Sequence, residues 1–191
     1  MGLTFEVSGT PADGYEATGV ITSDPETILV AGRASVLGSL ESIAIDDPIN
    51  ITGQTGDMMT LVDVSGYMPS GVKMADATFD GKVSVTVNID QTTTRIIQLD
   101  PDDIEWRNVP EGYTVELTDP EGRFNVTLTG LPARLEAIDV TQVVAVADIE
   151  DILDQQDMVG DHYHILLSYE YEGAELDVDT PNQVWFKLNS T

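Results

Sequence analysis

The sequence predicts a mainly β protein built as two tandem β-rich domains, each with one or two short helices. Three observations carry that reading. Apolar and polar residues alternate with a period of two in several runs. Turn-forming dipeptides separate those runs at close intervals. A set of landmarks in the first half of the 191-residue chain returns in the second, so one pattern of elements is met twice.

The alternating runs come first. Val83-Ser84-Val85-Thr86-Val87-Asn88-Ile89 sets four apolar residues on one face and three polar residues on the other, which is the mark of a half-buried strand. Val184-Trp185-Phe186-Lys187-Leu188-Asn189 reads as a second strand. His164-Ile165-Leu166-Leu167-Ser168-Tyr169-Glu170-Tyr171 reads as a third and Phe124-Asn125-Val126-Thr127-Leu128-Thr129 as a fourth. Thr27-Ile28-Leu29-Val30-Ala31 is a short apolar run between Pro25 and Gly32. Branched side chains fill these runs and suit a pleated surface. Asp13-Gly14, Asp24-Pro25, Ser70-Gly71, Asp80-Gly81, Asp119-Pro120 and Glu172-Gly173 punctuate them.

Helical spacing is rare. Val36, Leu37, Leu40 and Ile43 fall on one face of a helix over residues 33–43. A second short helix is expected over 133–138. A third is expected over 147–155, where Ile149, Ile152 and Leu153 form one stripe.

Gly14-Tyr15 returns as Gly112-Tyr113 and Gly32 as Gly130. Leu37 returns as Leu135 and Leu40 as Ile138. Asp24-Pro25-Glu26 returns as Asp119-Pro120-Glu121, and each half closes on an alternating strand. A repeat of that length is a domain duplicated in tandem. It divides the chain into residues 1–91 and 92–191, joined through Gln91-Thr92-Thr93-Thr94, a link too short for a flexible tether. Each half is long enough to bury a core of its own.

Charge then narrows the functions. The chain has 34 acids and 8 bases, a formal net charge of −26, and a pI near 4.1. Residues 1–91 hold 13 acids and 3 bases, and residues 92–191 hold 21 and 5. The acidity is therefore spread over both halves and is not a tail. A basic footprint for phosphates is missing, which excludes a nucleic-acid partner, and an anionic lipid surface would repel the chain. A hydrophobic share of 41% separates it from acidic disordered segments. Cysteine is absent, so disulfides, thiolate metal sites and cysteine nucleophiles are excluded. No run reaches the roughly 18–20 apolar residues of a membrane span. Gly2-Leu3-Thr4-Phe5-Glu6 has neither the basic nor the apolar region of a secretion signal. Met1-Gly2 passes straight into strand-like sequence, as expected of a piece cut from a longer protein.

Residues able to carry chemistry are scattered. His162 and His164 share one face of a strand, where two imidazoles could grip one metal beside Asp157 or Asp161. The preferred reading is two exposed histidines at a strand entrance, since spacing supplies no third ligand. Asp100-Pro101-Asp102-Asp103-Ile104-Glu105 has calcium-like oxygen chemistry but lacks the glycine and the closing acid of an EF-hand loop. Asp177 and Asp179 are incomplete in the same way. The alternative for both is a solvated turn. No nucleophile elbow, phosphate loop or dinucleotide fingerprint is present. Three asparagines, Asn50, Asn125 and Asn189, fit the glycosylation pattern, which arises often by chance. Trp106, Trp185 and the tyrosines could line a binding face. Tyr15 and Tyr113, at equivalent repeat positions, point instead to a shared structural role. No catalytic, cofactor or metal residue is assigned.

The ordered set of landmarks resembles the YbbR domain. In the first half it comprises Gly14-Tyr15, the run from Asp24-Pro25-Glu26 to Gly32, Val36-Leu37, Ile43, Ile49-Asn50-Ile51-Thr52-Gly53, Pro69-Ser70-Gly71-Val72 and the closing strand. In the second it comprises Val109-Pro110-Glu111-Gly112-Tyr113, Val126 to Gly130, Ala145 to Ile149, Gly160-Asp161-His162-Tyr163 and Pro181-Asn182-Gln183-Val184. The resemblance implies a β-rich domain, similar to the C-terminal domain of a ribosomal protein family, that is not itself an enzyme. It also implies an extracytoplasmic location behind an N-terminal membrane anchor helix that this chain does not include. In many Gram-positive bacteria such proteins regulate a membrane diadenylate cyclase and hence cyclic di-AMP.

The resulting expectation is a non-enzymatic interaction module, a fragment of a membrane-anchored cyclase regulator. Its partner would be a protein, the cyclase in the full-length protein. Nucleic acid and direct lipid binding by this fragment are not expected, and no cofactor is. The alternatives are an acidic cell-surface adhesive or calcium-dependent binding module, and a hydrolase whose site forms across the domain interface.

Overall fold

The computed structural model describes residues 1–118, 123–150 and 162–190. The chain divides into two units, Met1–Thr92 and Thr93–Thr191. The fold is mainly β, and each unit is described by itself.

The first unit contains β1 (Gly2–Ser8), β2 (Tyr15–Asp24), β3 (Val30–Gly32), α1 (Ala34–Leu37), β4 (Ser42–Asn50), β5 (Met58–Asp63), β6 (Val72–Met74) and β7 (Lys82–Gln91). β7 shows why its sequence chooses a strand. Val83, Val85, Val87 and Ile89 are all buried, while Ser84, Thr86 and Asn88 face the other way. It is the centre of a sheet ordered β2-β7-β5, antiparallel throughout. β1 and β4 pair in parallel, and β3 and β6 antiparallel. The buried residues of this unit's core are aliphatic: Ile28, Ile43, Ile45, Ile49 and Ile51 meet Val64 and the inner face of β7.

The second unit contains β8 (Thr93–Leu99), β9 (Ile104–Arg107), β10 (Tyr113–Leu117), β11 (Phe124–Gly130), α2 (Pro132–Ala137), β12 (Val143–Asp148), β13 (Tyr163–Leu166), β14 (Ser168–Tyr171), β15 (Ala174–Glu175) and β16 (Gln183–Ser190). Its pairings follow the same plan. β9 and β12 are parallel, as are β1 and β4, and β16 lies between β10 and β13, as β7 lies between β2 and β5. It adds β8, paired with β11, and the β14–β15 hairpin on the second side of β12. In the first unit the chain after β5 turns through a 3-10 segment, Ser65–Tyr67, so among the described residues β4 has one strand partner where β12 has two. Tyr169 and Phe186, both fully buried, give this core the buried aromatic bulk the first lacks.

The repeated glycines and tyrosines have structural work, while Asp119, Pro120 and Glu121 lie outside the described residues. Gly14 and Gly112 take left-handed φ values of 81° and 84°, which glycine adopts without strain. In each turn the following tyrosine N–H closes on a carbonyl three residues back: Tyr15 on Ala12 at 3.0 Å and Tyr113 on Pro110 at 3.1 Å. Each tyrosine then starts a strand, although Tyr15 packs on the core and Tyr113 is 47% exposed. Gly32 and Gly130 end β3 and β11 beneath Leu37 and Leu135 of the helices that follow.

Four element expectations need correction. The helix over 33–43 is a single turn, because Gly38 ends α1 and Ile43 is 1% exposed inside β4. Burying Ile43 and Ile45 on one side of a strand outweighs the helical spacing of Val36, Leu40 and Ile43. The run from Thr27 to Ala31 becomes a strand only from Val30, with Thr27 forming a lone bridge to Gly2. The run from His164 to Tyr171 is two strands, β13 and β14, broken at the buried Leu167, and they join different sheets. Ala147 and Asp148 end β12 and are not helical, and residues 151–155 of the third expected helix lie outside the described residues. Among the described residues, no helix is long and apolar enough to cross a membrane.

Candidate functional site

His162 immediately precedes β13, and His164 lies within it, in the sheet ordered β10-β16-β13. Tyr163 and Ile165 face the core, Tyr163 stacking 5.5 Å from Phe186. His164 therefore points outward, opposite Trp185 in the register of β13 and β16, with ring centroids 4.9 Å apart. Its Nδ1 is buried without a hydrogen-bond partner. Asp157 and Asp161 lie outside the described residues, and among the described residues no three acidic or histidine side chains group around a metal position. Of the neighbouring aromatics, Phe186 takes the core position and Trp185 the outer one, while Trp106 packs 5.0 Å from Phe186.

The acidic clusters are turn devices. Asp100 accepts the Asp102 N–H at 3.3 Å and stands 3.7 Å from the Arg123 guanidinium. Asp177 and Asp179 run beside β11, where the Asp177 carbonyl accepts from Thr129 and the Asp179 carboxylate from the Thr129 hydroxyl. The same motif recurs along the chain. Asp63, Asp76, Asp80, Asp139 and Asp148 each accept the backbone N–H two residues on, at 2.8–3.0 Å. Such local bonds are why aspartate favours turns. At Asp76 and Asp139 a threonine hydroxyl also donates, and at Asp63 the Ser65 hydroxyl does. These donors hold all three carboxyls below the usual aspartate range.

Two arginines of the second unit, Arg107 and Arg95, are held in specific contacts. Arg107 grips Glu170 through two bonds of 2.7 and 2.9 Å and Glu105 through one of 2.8 Å. The guanidinium keeps the Glu170 carboxyl low. The sequence reading did not single out this cluster, which forms only because β12 brings β9 and β14 to its two sides. Arg95 donates to the Ile138 carbonyl at 3.0 Å and to that of Leu135, closing the end of α2. Tyr169 donates to Asn182 at 2.7 Å, and burial pushes its phenol up to about 12.

The first unit offers a surface of a different kind. Met59 and Leu61, 73% and 65% exposed, project from the outer face of β5 opposite Thr86 and Ser84 of β7. Beside β5 a cleft of about 400 Å³ opens toward β4, lined by Pro48, Ile49, Met58, Val62 and Tyr67, with Asp47 and Asp63 among its polar residues. β5 ends its sheet among the described residues, so its outer backbone edge has no strand partner. The reading of the sequence missed this strand because Met58-Met59 blurs the alternation.

The model of the YbbR-like protein family matches residues 1–89. The first unit is a YbbR-like domain. The match spans this domain from β1 into β7, its closing strand, and so takes in β5 and the cleft. Among solved structures, a YbbR-like protein from Streptococcus pneumoniae TIGR4 is similar over 97% of this chain and 92% of its own, at 13% identity and a TM-score of 0.28. The YbbR-like assignment of the first unit rests on the family match. The comparison with curated proteins finds no match.

Proposed function

We propose that the chain is a non-enzymatic extracytoplasmic interaction module, part of a membrane-anchored regulator of diadenylate cyclase in cyclic di-AMP signalling. The YbbR-like match over residues 1–89 carries this reading. The second unit supports it as a further YbbR-like domain, since its parallel pair and its three-stranded sheet repeat the first unit's plan. Carboxylates bound into turns, and an exposed apolar strand at a sheet edge, suit a surface that docks proteins. The partner would be a protein, the cyclase itself in the full-length molecule.

The test is cellular. Removing the two units from the full-length protein is expected to change the cyclic di-AMP level under envelope stress. An unchanged level under every stress tried would sink the regulatory reading.

A further inference from the structure

We propose that the free edge of β5 in the first unit docks an extended, basic segment of a partner protein as an added strand. The proposal supplies the partner chemistry for the interaction module above, and of that reading it needs only the protein-binding part.

The other edges of this unit are blunted in the ways that stop strands from pairing with strangers. β2 slips register between Ala17 and Ile21, and β1 between Phe5 and Val7. β4 carries Asp46-Asp47-Pro48, two charges and a residue without an N–H. β3 and β6 are three residues each. β5 alone keeps six residues in unbroken register with its neighbour, from Met58 opposite Val87 to Asp63 opposite Lys82, with no proline, lysine or bulge. An unblunted edge that also exposes Met59 and Leu61 offers both halves of strand addition: backbone groups for the ladder and apolar side chains for the flanking contacts.

Charge selects the occupant. Asp57 immediately precedes β5 and Asp63 ends it, and Asp47 lies across the cleft. Two copies pairing antiparallel through β5 would set these end acids against each other, so a second copy of the chain is disfavoured. A lysine or arginine on the added strand can lay its stem along Pro48, Met58 and Val62 and bring its head to Asp47 and Asp63. The residues between its basic positions face Met59 and Leu61 and should be apolar. The occupant is thus a strand alternating basic and apolar side chains.

The probe is a synthetic peptide of about eight residues alternating valine and arginine, titrated into the purified chain and followed by amide NMR. A peptide alternating proline and arginine has the same charge but no N–H groups at alternate positions for a ladder. The expected result is saturable shifts at residues 58–63 and 47–50 with the valine peptide and none there with the proline peptide. Leu61→Lys and Met59→Lys, both at exposed positions, should each weaken binding about tenfold while leaving the melting temperature unchanged. Equal binding of the two peptides, shifts centred elsewhere, no binding, or wild-type affinity in both lysine variants would each overturn the site. Self-association through β5 would overturn it as well. No cyclase is present in this experiment, so its failure removes the β5 site and leaves the cellular reading standing. An unchanged cyclic di-AMP level removes the cellular reading and leaves the peptide result intact.

Discussion

Leu37 roofs Gly32: a Cβ built on Gly32 would lie 3.4 Å from the Leu37 Cδ2 and 2.9 Å from the Gly71 carbonyl oxygen. The carbonyl is backbone of the turn before β6 and has little room to retreat. At the repeat-equivalent Gly130, a Cβ would lie 3.6 Å from the Leu135 Cδ2, an ordinary contact. The two glycines hold the same place in the chain pattern, yet only one is required by sterics.

Gly32→Ala should therefore destabilise the first unit by about 1–3 kcal/mol. Gly130→Ala should be within about 0.5 kcal/mol of neutral, or slightly stabilising through the unfolded chain. Urea unfolding of both variants checks this, and equal costs at the two sites would refute the steric account.

Arg95→Met should cost about 1–2 kcal/mol, since it leaves the Leu135 and Ile138 carbonyls without their charged donor. Hydrogen exchange should rise first at the end of α2. A uniform loss of protection across the unit would mean that Arg95 does not act as a local cap.

The turn carboxylates give a pH dependence whose sign follows from linkage. Asp63, Asp76 and Asp139 titrate low because hydroxyl and backbone donors favour the charged form, and Glu170 because Arg107 does. Their folded pKa values lie below the unfolded ones. Their stabilisation is complete above the unfolded value of about 4 and is lost as pH falls through the folded values. Carboxyl NMR titration should place all four midpoints below the model-peptide values. In Asp76→Asn, the acid side of the stability profile should be shallower than in the parent chain. A midpoint for Asp76 at or above about 3.9 would contradict the hydrogen-bond geometry.

Net charge acts in the opposite sense to those local bonds. With 34 acids against 8 bases, self-repulsion weakens the folded state at low ionic strength. The melting temperature should rise as sodium chloride increases from low to physiological concentration. A flat or falling curve would show that the acids are already balanced locally.

The strands whose inner and outer faces differ most were plainest in the sequence. Val83, Val85, Val87 and Ile89 are buried and alternate with short polar side chains, so β7 could be read without neighbours. Residues 33–43 misled because Leu40 and Ile43 have helical spacing, while the packing of Ile43 and Ile45 against the core is a tertiary fact. The break at Leu167 was invisible for a related reason: residues on both sides of it are apolar in alternation, and only the change of partner sheet divides them. The glycine and tyrosine repeats marked the turns correctly because a left-handed φ is a local demand. The β5 surface was not legible. Its character depends on which strand ends the sheet and on how every other edge is blunted, and neither is written in residues 58–63 alone.

Both tryptophans, Trp106 and Trp185, belong to the second unit, and the first has none. Indole fluorescence is therefore an optical reporter of one half of the molecule. A heating or denaturant curve followed at tryptophan wavelengths records the loss of the Phe186 environment, while the YbbR-like domain unfolds unseen. Far-ultraviolet dichroism or calorimetry registers both. A gap between the fluorescence and dichroism transitions would measure how far the two units melt as separate thermodynamic bodies, with no label added.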